Sequence, residues 1–328
     1  MEGLKILVSG GTGFVGSNLV RHFYFKGYEI AIILRNGSNT WRISDIFNNI
    51  TKFYVDITRK EELMKVLSTF RPDVVIHTAA FGGYHFERDE ELIFEINLRG
   101  TINMVNAFLQ SGGKLFINTG SSSEYGLKNR PMSEKDSLEP LGAYAVSKAA
   151  ASLYCRSKSV ENNKKIITLR LFSAYGYFEE VHRLLPSVLL SLMKEKPILM
   201  NSPSSVRDFI FIEDIVELYD LLIGQMENLG VGEIYNVGTG RETSVGELVE
   251  LAEKVFNKRL NVMWTNEMGR AGDVAKHWSA DITKVKEELN WMPKYTLENG
   301  LIKTYDWLKN NLEKYEVPNN AKFKRYSK

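Results

Sequence analysis

The sequence predicts an α/β fold: a doubly wound parallel sheet carrying a smaller C-terminal lobe. Three observations carry that expectation. Six short runs of aliphatic and β-branched residues alternate with helical patterns through the first half of the chain. These runs are almost continuously apolar, which suits strands buried on both faces and joined by helical crossovers. A glycine-rich turn, "SGGTGFVG", separates the first run from the first helical pattern.

In chain order the strand candidates are "KILVSG", "EIAIIL", "KFYVD", "DVVIHTA", "KLFINTG" and "KIITLRLF". After Phe172 the rhythm becomes irregular. Shorter runs, "PILM", "RDFIF", "EIYNVG" and "NVMW", are interleaved with helices such as "TSVGELVELAEKVF". Residues 1–172 are expected to form the sheet domain and 173–328 a mixed α/β lobe over its carboxyl edge, with elements free to cross the boundary. A ligand cleft between the two follows from that placement. There is no internal repeat, low-complexity segment or long linker.

The composition excludes several classes. The chain has 328 residues, 44% of them apolar and 25% charged, with a formal charge of +2. That is an ordinary globular balance, and the dispersed positive residues leave no nucleic-acid footprint. Only the tail, "AKFKRYSK", is basic, as a solvated terminus can be. The single cysteine, Cys155, rules out an internal disulfide and a multi-cysteine metal site and reads as a packing residue; no metal is expected. With no signal-peptide pattern and no apolar run of spanning length, a soluble cytoplasmic protein without membrane partners is expected.

Gly10, Gly13 and Gly16 lie between the first strand and the first helix. Glycine permits a tight turn and close approach of backbone to a pyrophosphate, and the helix N-terminus offers amide donors and a favourable dipole. A turn that is merely glycine-rich is the alternative; its place at the head of a series of βα units favours a dinucleotide, held by Thr12, Phe14 and Val15 as well. Asp56, with Ile57 after it, either hydrogen-bonds the adenine or caps the helix beginning near "ITRKEEL".

"AYAVSK" puts Tyr144 and Lys148 four residues apart in a helical pattern, so both project from one face. A phenol is a poor proton donor or acceptor at neutral pH unless a cation stabilises its phenolate, and Lys148 is spaced to do so. Upstream, "LFINTGSSSEYG" brings Ser121, Ser122 and Ser123 to the carboxyl edge of the sheet, where open α/β folds bind ligands.

Taken in order, "GGTGFVG", "HTAA" at 77–80, "INLRGT" around Asn97, "SSSEYG", the Tyr144/Lys148 pair, "LRLFSAYG", "VRDFIFIEDI", "YNVGTG" and "GRAGD" followed by "ADITKVKEELNWMP" cover nearly the whole chain. In this the sequence resembles the extended short-chain dehydrogenase/reductase family, the Rossmann-type nucleotide-sugar epimerases, dehydratases and reductases. The resemblance implies that Tyr144 is the general acid/base, that Lys148 lowers its pKa and holds the nicotinamide ribose, and that Ser121 hydrogen-bonds the reacting oxygen. It implies that Thr78, Ala79 and Ala80 line the cofactor, that Asn97 supports Lys148, and that His77 is structural. Arg207 and Arg270 match positions on the sugar-nucleotide diphosphate, with Ser122 and Ser123 on the substrate side and Ser173 where the family has an asparagine. The family also pairs through the helices around 92–110 and 143–158, which implies a homodimer.

Two departures shape the expected reaction. Family dehydratases carry a glutamate two residues before the Tyr-Gly tyrosine; here that place is Ser123, and Glu124 falls one residue late. On an extended segment one residue reverses the face, so elimination of water is disfavoured. The second strand ends in Arg35, where NAD-binding members have a carboxylate for the ribose hydroxyls. With Asn36 and Ser38 beside it, and Arg42 expected to fold back, that strand end suits a 2′-phosphate. NADP is the expected cofactor, with NAD and a solvated Arg35 as the alternative.

The leading expectation is therefore an NADP-dependent 4-ketoreductase acting on a nucleoside-diphosphate 4-keto-6-deoxyhexose. The alternative is an NAD-dependent nucleotide-sugar 4-epimerase of the UDP-glucose/galactose type. A non-catalytic NADP-binding sensor is the reading of another class, against which the intact Ser121, Tyr144 and Lys148 set argues. Leu185, Pro186, Leu199 and Met200 are offered either as walls of a base pocket or as ordinary core.

Overall fold

The computed structural model describes residues 3–84, 86–265 and 275–316. Strands β1 (Lys5–Ser9), β2 (Glu29–Leu34), β3 (Thr51–Tyr54), β4 (Val74–His77), β5 (Leu115–Ser121) and β6 (Lys165–Leu171) are the six runs of the first half. Between them run α1 (Phe14–Phe25), α2 (Lys60–Phe70), α3 (Glu90–Phe94), α4 (Gly100–Ser111) and α5 (Ala143–Asn162). Beyond β6 follow β7 (Ser173–Tyr175), α6 (Leu184–Lys194), β8 (Ile198–Met200), β9 (Val206–Arg207), β10 (Phe209–Phe211) and α7 (Ile212–Gly224). Then come β11 (Ile234–Val237), β12 (Thr243–Ser244), α8 (Val245–Phe256), β13 (Val262–Trp264), α9 (Thr283–Leu289), α10 (Leu297–Lys309) and α11 (Leu312–Glu316).

The central sheet has the order β11-β6-β5-β4-β1-β2-β3, and every pairing in it is parallel. The expected doubly wound sheet is present. Strand order reverses between β1 and β4, which opens a crevice at their carboxyl ends. Alternate residues feed two cores. Ile6, Val8, Ile30 and Ile32 pack on one face with Leu19 and Phe23 of α1 and Leu218 and Leu222 of α7. Leu7, Ala31, Ile33 and Val75 pack on the other with Leu63 and Leu67 of α2 and Val105 and Phe108 of α4. Cys155 is a free, buried member of this second core.

Residues after 172 are shared between lobe and sheet. The run "EIYNVG" pairs with β6 as the seventh strand, with all four residues of β11 buried. The lobe itself is built from three two-stranded ladders: β7 with β10, β9 with β12, and β8 with β13. Its helices start where local chemistry directs. Ser244 caps α8 by accepting from the Glu247 amide while Glu247 reaches back to Ser244, and Asn257 in the left-handed region ends it. Leu185, Pro186 and Met200 are core residues, whereas Leu199 is 65% exposed. Among the described residues no helix is long and apolar enough to cross a membrane.

Two features are open to direct test. Gly300 of α10 lies against buried Tyr175: a Cβ there would stand 1.9 Å from the phenol oxygen. Alanine gains about 1 kcal/mol in helix propensity over glycine, but the overlap dominates. Gly300→Ala should lose about 1–3 kcal/mol in chemical denaturation, and Tyr175→Phe in the same background should recover most of it.

The second feature is His77 at the end of β4. Thr101 Oγ1 donates to the Asn97 carbonyl at 2.6 Å, so it must accept from His77 Nε2 at 3.0 Å. Nδ1 is then the bare acceptor for the Ser9 hydroxyl at 2.6 Å, and the imidazole is neutral. Burial, aided by the Lys148 charge, pushes its pKa down to about 3 from an ordinary 6.5. The unfolded chain therefore binds a proton that the folded one refuses. The associated stability is complete above about pH 6.5 and is lost as pH falls toward about 3. His77→Gln should flatten the dependence of unfolding free energy on pH in this window, by at most about 1.4 kcal/mol per unit.

Candidate active site

The crevice at the strand-order reversal is lined first by the glycine loop. Gly10 has φ +72°, and a Cβ on it would lie 2.6 Å from the Ala79 amide nitrogen and 2.7 Å from Thr78 Oγ1. A Cβ on Gly16 would stand 2.2 Å from the Gly10 carbonyl oxygen. The Thr78 hydroxyl donates to the Ser9 carbonyl at 2.8 Å, closing the β4 loop onto the β1 turn. Gly13 is the N-cap of α1 with no side chain over it, and Phe14 and Val15 open the first turn beside Thr12. A helix start kept bare of side chains, with backbone on three sides, fits a dinucleotide pyrophosphate.

At the end of β2, Arg35 and Asn36 are exposed. Residues 35–38 form a tight turn in which Ser38 donates from both its amide and its hydroxyl to the Arg35 carbonyl, at 3.0 and 2.7 Å. Arg42 does not fold back onto this turn as expected. Its guanidinium is buried and donates to the Phe178 carbonyl at 2.7 Å, to the Thr12 carbonyl at 3.2 Å and to Glu180 at 2.5 Å. Desolvating a guanidinium requires a complete set of acceptors, and the loop after β7 offers them while an exposed turn does not. Asp56 does not cap α2, whose N-cap is Arg59. Its Oδ1 instead accepts from the Thr58 amide and hydroxyl at 2.9 and 2.8 Å, and the carbonyl of buried Ile57 takes the Asn103 amide.

Asn97 lies in a π-helical turn, Glu95–Arg99, between α3 and α4. Its side chain closes both hydrogen bonds to the Phe81 backbone at 2.8 Å and donates to Ser147 Oγ at 2.9 Å. Ser147 in turn donates to the Tyr144 carbonyl at 2.8 Å. Asn97 thus fastens the loop after Ala80 to the helix that carries Tyr144, its side chain bonding to that framework at Phe81 and Ser147. A Cβ on Gly82 would approach the Tyr144 ring to 3.4 Å, so this loop lies against the phenol.

Tyr144 is half-buried in the first turn of α5 and Lys148 is fully buried one turn on. Lys148 Nζ donates to the Thr119 carbonyl of β5 at 2.5 Å. Burial is the larger influence and pulls the ammonium below the usual lysine value, while the Glu124 carboxylate opposes it. Ser121 ends β5; its hydroxyl pairs with Ser123 Oγ at 2.8 Å and accepts from the Ser123 amide at 3.2 Å. Ser122 is buried, and its hydroxyl takes the Trp278 indole N–H at 3.1 Å. Residues Ser122–Tyr125 form a 3-10 turn rather than the extended segment expected, so strand alternation does not set the direction of Glu124; the turn itself carries Glu124 inward, wholly buried on Arg170. A phenol, a buried ammonium and a strand-end hydroxyl at one sheet edge can deliver and withdraw a proton at a reacting oxygen.

On the lobe side, half-buried Ser173 donates its amide to the Asp208 carbonyl at 2.9 Å, and half-buried Arg207 lies on β9. Asp208 is buried, with its carboxylate held by Thr239, Gly240 and Ala280 donors. That lattice fixes the segment bearing Arg207. Arg270 lies outside the described residues. Sequence reasoning missed Arg183, which sits 4.5 Å over the Tyr84 ring, and Glu179, which is buried beside it with its carboxyl pushed up to about 8 by desolvation. Only their neighbourhood to "LRLFSAYG" could have flagged them. Among the described residues no group of three His, Cys, Asp or Glu side chains is placed to hold a metal.

The chain is similar in sequence and fold to several known proteins. The chain is 29% identical over 319 residues to a UDP-glucuronate 4-epimerase of Thermodesulfobacterium geofontis, covering 94% of this chain and 97% of that one. It superposes with TM-score 0.85 on a UDP-glucose 4-epimerase of Thermotoga maritima solved with UDP-glucose, at 25% identity over 94% of this chain and 100% of the other. A Bacillus cereus UDP-glucuronic acid 4-epimerase, solved with UDP-glucuronic acid and NAD, gives 0.83 at 25% identity, covering 94% and 100%. The NAD dependent epimerase/dehydratase family matches residues 6–238, and the chain belongs to that family.

Proposed function

We propose that this protein reduces the C4 carbonyl of a nucleoside-diphosphate 4-keto-6-deoxyhexose with NADPH. The observation that carries the reading is the end of β2, where the exposed Arg35 stands with Asn36 and Ser38 and no carboxylate follows Leu34. A guanidinium there favours a 2′-phosphate, and a carboxylate would repel one. The glycine cradle, Thr78 to Ala80, Asp56, Ile57 and Asn97 complete the cofactor side.

NADPH, when bound, would supply the hydride that becomes the new C–H bond at C4, the carbonyl electron pair passing to oxygen. Tyr144 gives its phenolic proton to that oxygen. Lys148 holds the resulting phenolate by charge, and Ser121 donates a hydrogen bond where negative charge develops. Arg207 and, by its family position alone, Arg270 meet the diphosphate, with Ser122, Ser123 and Ser173 assigned to the substrate side. Glu124, turned into the core and engaged there, is not placed to act as a base at C5, which weighs against dehydration.

A second reading, 4-epimerisation with tightly held NAD, draws on the three similar 4-epimerases above, one of them solved with NAD; other similar proteins are dTDP-glucose 4,6-dehydratases. Incubation with a 4-keto sugar nucleotide separates the two. Stoichiometric loss of NADPH is expected, and interconversion of C4 epimers without net cofactor change would exclude the reductase. Tyr144→Phe should lower kcat by about 10²-fold or more. Arg35→Asp should shift the NADP/NAD preference in kcat/KM toward NAD by at least about tenfold, the worth of one charge-assisted hydrogen bond.

The same proposal includes a homodimer through α5. Val146, Leu153 and Val160 recur every seven residues on this helix and are 38%, 52% and 62% exposed, an apolar stripe of the kind that seeks a partner. Sedimentation should give a dimer, and Leu153→Glu a monomer with unchanged circular dichroism.

A further inference from the structure

Glu124 is wholly buried, yet the proposed reaction does not use it. Its carboxylate is divided among three elements. Oε1 accepts from the Ser121 amide at 2.8 Å and from the Ser152 hydroxyl at 2.9 Å, and Oε2 accepts from Arg170 Nε at 2.8 Å. Ser121 terminates β5, Ser152 stands on α5 one turn beyond Lys148, and Arg170 belongs to β6. The fit is close, since a Cβ on Gly120 would lie 2.7 Å from Oε1. Arg170 has a second partner: it donates to the Tyr125 hydroxyl at 2.8 Å, and that hydroxyl donates to Asn236 Oδ1 at 2.7 Å. Stability alone does not explain such a pair, because matched apolar residues serve a core at least as well as a buried ion pair.

We propose that Glu124 is a positioning residue: it ties the strand end bearing Ser121 to the helix bearing Tyr144 and Lys148, and places a negative charge within reach of Lys148. The inference rests on the reading of Ser121, Tyr144 and Lys148 as the reacting set. The groups around Lys148 support it. His77 faces it from β4 as a neutral imidazole, and Cys155 on its own helix is a thiol that burial pushes up to about 12. Tyr144 lies one turn before it, the Thr119 carbonyl accepts from it, and Arg170 is directed at Glu124 and Tyr125. Glu124 is therefore the formal negative charge in this set, opposing the desolvation that disfavours the ammonium. Without it Lys148 releases its proton more readily and holds the Tyr144 phenolate less well.

Two variants test this in the full-length protein. Glu124→Gln keeps an acceptor for Ser121 and Ser152 and removes the charge; the pair Glu124→Met/Arg170→Met removes both charges together, so no buried guanidinium is stranded. The first readout needs no sugar: the near-ultraviolet phenolate signal that Tyr144→Phe lacks, followed against pH. The second is the pH profile of kcat with the 4-keto substrate. The folded paired variant should raise the midpoint of the phenolate signal by about one pH unit, a tenfold change in ionised fraction. It should also lower kcat at neutral pH about tenfold with KM little changed, and Glu124→Gln, where it folds, should do the same. A paired variant as stable as the parent whose phenolate midpoint and kcat profile are unchanged would reduce Glu124 to a structural residue and overturn the inference. A parent protein with no phenolate signal attributable to Tyr144 in the range of its activity would overturn the assignment of Tyr144 beneath it.

Discussion

A parallel sheet cannot leave either face to water, and the rest of this molecule follows from that constraint. Each strand must return to the same end of the sheet before the next begins; helices carry these crossovers except between β2 and β3, where only short 3-10 turns intervene, and they come to cover both faces. The carboxyl ends of β1, β4 and β5 then collect at one edge, together with the starts of α1 and α5. Glycine cradle, serine hydroxyl and phenol share an edge because the topology leaves them nowhere else to be. The closeness of the cradle is a second-order effect of the same packing. Gly10 and Gly16 approach the β4 loop so tightly that neither tolerates a Cβ.

Inside this frame several buried polar groups are held by specific partners. His77 is kept neutral by two hydroxyl partners, Asp208 spends its charge on backbone donors, and Glu124 and Arg170 neutralise one another. Each sits under a functional loop rather than in the centre of a core. A buried polar group with one required set of partners fixes loop geometry more sharply than apolar packing, which tolerates small shifts. Asn97 does this for the segment beside Tyr144 by filling a π-helical turn, a distortion that offers the backbone no gain of its own.

What was legible in the sequence was local. The strands of the main sheet are continuous apolar runs, the glycine loop is a contiguous signal, and Tyr144 and Lys148 are neighbours on one helix. What was hidden depends on partners far along the chain. Arg42 reads like any arginine after a turn, and the acceptors that bury it lie at Phe178 and Glu180. "EIYNVG" is no different in pattern from the lobe runs around it; only its pairing with β6 makes it part of the main sheet. Glu124 was legible in half: its offset from the tyrosine set it apart from the family's glutamate, but neither the 3-10 turn that carries it inward nor its partners Arg170 and Ser152 could be read there.

The buried guanidinium of Arg42 carries one further implication. It holds the carbonyl of Thr12 in the glycine loop and the carbonyl of Phe178 in the segment leading to the lobe, while Glu180 neutralises it. Tyr315 of α11 joins the same knot through the Glu179 carbonyl. Pulling these apart would strand a desolvated cation, at a cost of several kcal/mol. Any relative movement of these segments must therefore leave this corner closed, so that the glycine loop and the loop after β7 move as one piece.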